Sequence, residues 1–174
     1  MPMQTRQRTE LEPVRAEMTR QRVFLTFAAG DLACARPATA NLLAGGGISL
    51  DQALTSEPFA SARGDIIRAS LLTRLRHCVS ALCLYGQRTA EDEWVRWAME
   101  TAAELKLPLL GAALTGESAW ESELYLTRLG AELVPLNGDA ILTRMGSIST
   151  RRLSPAIDVA SIAETLHLMR HPLR

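Results

Sequence analysis

The chain has 174 residues, 47% of them hydrophobic, which suits one domain with a single sizeable core. Lys+Arg and Asp+Glu both count 19, and a net charge of zero argues against a nucleic-acid binder that works by neutralising phosphates. The longest apolar stretches, VSALCLY and LPLLGAAL, fall far short of the roughly 20 residues a membrane-spanning helix needs. The opening MPMQTRQRTELEPVRAEMTRQR alternates charges without an apolar signal core, so a cytoplasmic protein is expected, with neither membrane nor nucleic acid as partner. Cys34, Cys78 and Cys83 are odd in number and lack CxxC spacing, so they read as small core hydrophobes and not as a disulfide framework or zinc site.

In chain order, residues 1–20 form a polar arm, and 21–174 a single domain. RVFLTF (22–27) is a short strand, and LACARPATANLLAGGG is helix-like, interrupted at Pro37 and stopped by three glycines. ISLDQAL (48–54) is a weaker strand and SEPFASARG a loop. DIIRASLLTRLRHC (65–78) sets Ile66, Ile67, Leu71, Leu72 and Leu75 on one helical face, with Asp65 suited to cap its start. VSALCLYG (79–86) has the unbroken apolarity of a strand buried on both faces. TAEDEWVRWAMETAAELKL (89–107) is a helix with Thr89 as N-cap, and PLLGAAL (108–114) another buried strand. SAWESELYLTRLG (118–130) is a helix ended by Gly130, AELVPLN (131–137) a proline-bearing edge strand, and SPAIDVASIAETLHLM (154–169) a capped amphipathic helix. This alternation predicts a flavodoxin-like three-layer α/β sandwich around a mostly parallel five-stranded sheet.

Ligands in such sheets sit beyond the carboxyl ends of the strands, which singles out the loops at 28–31, 51–64, 86–93 and 115–120. Several chemistries fail there. GGGISL follows a helix and lacks full GxGxxG spacing, and no GxxxxGK[ST] is present. A phospho-accepting receiver would need paired acids after the first strand, where only Asp31 stands. GSIS (146–149) is not a hydrolase elbow, and no histidine is placed to activate Ser147. His167 and His171 share a helical face but lack a third metal ligand.

RVFLTF resembles the first strand of the bacterial TIR-like proteins of Thoeris anti-phage systems. VSALCLYGQRTAEDEWVRWAMETAAELKLPLLGAAL resembles the same family's block of buried strand, "G…T" loop, WVRYE-like helix start and second buried strand. The resemblance covers about residues 21–115 and leaves 115–174 as a divergent C-terminal part.

The resemblance implies chemistry on NAD as substrate or ligand, without a tightly bound cofactor: cleavage of the nicotinamide–ribose bond, in some members with cyclisation of ADP-ribose into a signal for an effector protein. Such cleavage uses a carboxylate to stabilise positive charge on the ribose. The family's glutamate lies four residues after the tryptophan, and counting from Trp94 gives Ala98. Glu100 is the nearest other acid, but two residues turn a helix by about 200°, so it faces away from Ala98; Glu93 and Glu100 share a face that suits solvent. Glu91 shares the face of Ala98 but sits where the helix dipole alone accounts for an acid.

Thr26, Phe27, Asp31, Trp94 and Ala98 are the nucleotide-pocket positions the resemblance carries over. Phe27 stacks on a base or caps the core, Asp31 bonds a ribose or caps a helix, and Trp94 and Trp97 equally suit core packing. Phe59 stands in the segment that TIR domains use for head-to-tail assembly and is an interface anchor if exposed. Three functions follow in order. The first is a TIR-like domain with lost or altered NAD hydrolysis that binds an NAD-derived nucleotide, self-associates or engages a defence effector. The second is an active NAD-cleaving enzyme or ADP-ribosyl cyclase, and the third an interaction module without a nucleotide role.

Overall fold

The computed structural model describes residues 20–53, 55–114 and 119–153. The expected helix over 154–169, the His167–His171 pair and nearly all of the N-terminal arm lie outside them. The strands are β1 (Gln21–Thr26), β2 (Ile48–Ala53), β3 (Ser80–Tyr85), β4 (Leu109–Ala113) and β5 (Glu132–Leu133). The helices are α1 (Leu32–Ala44), α2 (Ala62–Leu75), α3 (Glu93–Glu104), α4 (Trp120–Arg128) and α5 (Gly138–Leu153). All strands pair in parallel in the order β2-β1-β3-β4-β5, the flavodoxin-like arrangement.

The strand pleat sends alternate side chains to opposite faces and so builds two cores. Phe24, Ala81 and Cys83 join Leu71, Leu75, Val95, Met99 and Leu126 of α2, α3 and α4 on one side. Val23, Leu25, Leu82 and Leu84 join Leu42 of α1 and Ile141 and Met145 of α5 on the other. Every residue of β3 is buried, which is why its sequence is apolar without a break. The β1–β3 pairing is the point where the strand order reverses, and it holds Thr26 opposite Cys83.

Boundaries differ from expectation for local reasons. Helix α1 runs through Pro37; Ala33 and Pro37 are both exposed, so the carbonyl that loses its helical partner is open to water. Helix α2 begins before Asp65 because Ser61 Oγ accepts the Gly64 N–H at 2.9 Å. Asp92, not Thr89, caps α3, its Oδ1 accepting from Trp94 N at 3.0 Å and Val95 N at 3.1 Å. The expected edge strand over 131–137 shrinks to two residues, and α5 follows it, opened by Asn137 Oδ1 accepting from Asp139 N at 2.9 Å.

Helices α3 and α4 end alike. Lys106 N–H donates to Ala103 O and Leu107 N–H to Ala102 O; Gly130 N–H donates to Thr127 O and Ala131 N–H to Leu126 O. Both turns need left-handed backbone, with φ of 59° at Lys106 and 84° at Gly130. A side chain there costs about 1 kcal/mol. Lys106→Gly is expected to stabilise the protein by about that much and Gly130→Ala to destabilise it similarly, as measured by urea denaturation. A neutral or destabilising Lys106→Gly would overturn the assignment.

Candidate functional site

Beyond the carboxyl ends of β1 and β3, the chain leaves in opposite directions and opens a crevice of about 480 Å³. Gly30, Asp31 and Cys34 line it from the β1–α1 side, and Gly86, Gln87 and Arg88 from the β3–α3 side. Leu114, just past β4, also lines it.

The β3–α3 turn is fixed from several directions. Gly86 N–H donates to Thr89 Oγ1 at 2.9 Å, and Ser122 Oγ of α4 donates to the Gly86 carbonyl at 2.7 Å. Ser122 Oγ also accepts from Ala90 N at 3.3 Å, and Tyr85 Oη donates to Glu123 Oε1 at 3.2 Å. Thr89 and Ser122 are fully buried, so these bonds are shielded from competing water. Across the crevice, Ala29 N–H donates to Asp92 Oδ2 at 3.2 Å. One carboxylate thus caps α3 and ties it to the loop after β1.

Among the described residues, Asp31 is the one carboxylate lining the crevice. It precedes α1 but makes no capping bond, contrary to the cap alternative. Its carboxylate lies against Gly86, where an added Cβ would stand 2.7 Å from Oδ2, so a side chain at 86 would displace it. Asp31 Oδ2 is buried without a hydrogen-bond partner in the protein. Burial raises its pKa above the ordinary 3.8; Arg88 pulls it down and Asp92 adds to the rise. The residue lines the crevice, so a rotation that turns this oxygen out from under Gly86 would let it accept a hydrogen bond from a ligand hydroxyl.

Of the nucleotide-pocket candidates named from the sequence, only Asp31 lines this crevice; Cys34, expected in the core, is exposed and lines it too. Thr26 is buried, and Phe27 is buried in the core with Val23 and Leu25, on the core-capping side of its two alternatives. Trp94 packs edge-on to Phe59 at 4.9 Å and donates from Nε1 to Glu57 O at 2.8 Å, beside the β2–α2 loop. Phe59 is accordingly half-buried, its other partner being Arg68, whose guanidinium lies 4.3 Å from the ring centroid. Ala98 is buried in the core with Val95, Met99 and Ala102. Glu100 is exposed, 3.8 Å from Arg96 and 3.5 Å from Tyr125 Oη. Arg88 and Gly86 belong to the 86–93 loop beyond a strand end, and their signal in the sequence is a glycine ending a buried strand with a cation two residues later.

Among the described residues, no cluster of His, Cys, Asp and Glu is arranged to hold a metal ion, and no helix is long and apolar enough to cross a membrane. No known protein-family model matches the chain, and no curated protein matches it.

The raised pKa of Asp31 has a definite sign for stability. Its contribution is fully present below the unfolded value near 3.8 and is lost as pH rises through the higher folded value, because the charged form is the penalised one. Asp31→Asn is therefore expected to raise the melting temperature at neutral pH, with the gain over wild type vanishing below pH 3.8. Equal stability of the two proteins at neutral pH would contradict the burial of an unpaired carboxylate.

Proposed function

We propose that this chain is a TIR-like domain that binds an NAD-related nucleotide in the β1–β3 crevice and has lost hydrolysis by the family's helix-borne glutamate. The observation that carries the reading is the pairing, in one crevice at the reversal of strand order, of an unpartnered carboxylate oxygen with an arginine. Asp31 suits the hydroxyls of a ribose and Arg88 a diphosphate, which a guanidinium meets with charge-assisted hydrogen bonds. The sequence resemblance over residues 21–115 supports the choice of NAD-derived ligands and a setting in anti-phage defence or signalling. The loss of hydrolysis is supported by Ala98, buried in the core at the glutamate position, and by Glu100 on the solvent face beside Arg96.

Binding of ADP-ribose to the native state alone must raise the melting temperature. The expected result is a concentration-dependent rise that Arg88→Ala weakens about tenfold in affinity, the range of a charge-assisted bond to phosphate. Incubation with NAD is expected to release no nicotinamide. Sustained release that disappears in Glu100→Gln would replace this reading with that of an active NAD-cleaving enzyme.

A further inference from the structure

The turn after β1 and the start of α3 are joined by the bond from Ala29 N–H to Asp92 Oδ2, which is 3.2 Å long and exposed. Asp92 divides its work between its oxygens. Oδ1 accepts from the N–H groups of Trp94 and Val95 and caps α3, while Oδ2 reaches Ala29. Ala29 opens a single 3₁₀ turn, Ala29–Asp31, in which Asp31 N–H donates to Ala28 O at 2.9 Å. Whatever holds Ala29 therefore also holds Asp31, two residues on in the same turn. The Asp31 carboxylate is packed against Gly86 with Oδ2 buried and unpartnered. Burying a carboxylate oxygen without a hydrogen bond is unfavourable, so the side chain gains by turning out to water or a ligand. Two tendencies thus oppose one another: the unpaired oxygen favours release of the turn, and the bond to Asp92 resists it.

We propose that the Ala29–Asp92 bond is a strap that keeps the Asp31 carboxylate packed against Gly86, and that releasing it turns Asp31 into the crevice, where a nucleotide hydroxyl can reach it. The ligand half of this proposal rests on the nucleotide reading of the crevice; the strap itself does not. Release disturbs little else. The bond is exposed, so water replaces each partner, and the cap on α3 stays with Oδ1. Asp92 acts on the ligand only through Asp31 and is a positioning residue. A ligand that binds the released form alone loses affinity in proportion to how rarely the strap is open. The net worth of one such hydrogen bond sets that loss at about two- to tenfold.

Two substitutions cut the strap in independent ways. Asp92→Asn keeps an oxygen for the α3 cap, where asparagine serves as well as aspartate, and turns an amide NH₂ toward the Ala29 N–H, donor against donor. Ala29→Pro removes the N–H and leaves the charge of Asp92 in place. Proline fits there: Ala28 is already extended, with φ −64° and ψ 140°, and Ala29 is the first residue of its helical turn. Calorimetric titration of the full chain with ADP-ribose is expected to show both variants binding about two- to tenfold tighter than wild type. In an Asp31→Ala background, Ala29→Pro should bring no gain. In the ligand-free chain, the carboxyl ¹³C titration of Asp31 should fall from its raised midpoint toward 3.8 in Ala29→Pro, where the charges of Arg88 and Asp92 are unaltered. Thermal transitions serve as the folding control. A gain confined to Asp92→Asn overturns the strap in favour of charge repulsion between Asp92 and phosphate. Weaker binding in both variants also overturns it, since the bond would then preorganise the bound form. An Asp31 midpoint unmoved in Ala29→Pro overturns it whatever the ligand does. If no variant binds ADP-ribose while that midpoint still falls, the strap on Asp31 stands and the nucleotide reading of the crevice falls.

Discussion

The architecture of the candidate site depends on a glycine at the end of the central strand. At Gly86 the backbone N–H is taken by Thr89, the carbonyl by Ser122, and the space a Cβ would fill by the carboxylate of Asp31. Two segments far apart in sequence, at Asp31 and Ser122, thus converge on one turn, and two of the three neighbours of Gly86 are buried hydroxyls whose bonds water cannot replace. Any side chain at 86 would force Asp31 to move, because the nearest atom it would meet is a carboxylate oxygen at 2.7 Å.

The crevice follows from that convergence together with the topology. Parallel strands that reverse order between β1 and β3 send their following chains to opposite faces of the sheet, leaving a gap above the strand ends. Asp92 limits how far the gap can open, since its two oxygens bind the first turn of α3 and the amide of Ala29 at once. The fold carries a cost at Asp31, whose buried oxygen lacks a partner, and such a cost is commonly found where a ligand completes the bonding.

What was legible in the sequence follows from the range of the forces involved. β1, β3 and β4 are readable because burial on both faces demands apolar runs of strand length, and α2 and α3 because most of their apolar residues recur at helical spacing; Ile66, expected on the core face of α2, is 71% exposed instead. The sequence does not decide the caps within TAED and SARGD, where several side chains of similar chemistry stand close together and only the three-dimensional turn selects one. Helix α5 is not legible because GDAILTRMGSISTRRL is rich in Gly, Ser and Thr, weak helix formers; burial of Ile141 and Met145 in the core overrides that weakness. Arg88 was unreadable as a site residue because its significance comes from Gly30 and Asp31, which only the β1–β3 pairing brings near it. Conversely, the conspicuous acids and tryptophans of EDEWVRWAMET cap the helix at Asp92, pack Trp94 against Phe59 of the β2–α2 loop and pair Arg96 with Glu100 on the surface.

The central claim is that the β1–β3 crevice is where a nucleotide binds. The most direct measurement is an amide chemical-shift titration of the isotope-labelled chain with ADP-ribose, which reports the binding location residue by residue. The account predicts saturable shifts centred on Ala29, Gly30, Asp31 and on Gly86 to Arg88, the two walls of the crevice. Saturable shifts confined to the Phe59–Trp94 side of α3, or no saturable shifts at all, would contradict it.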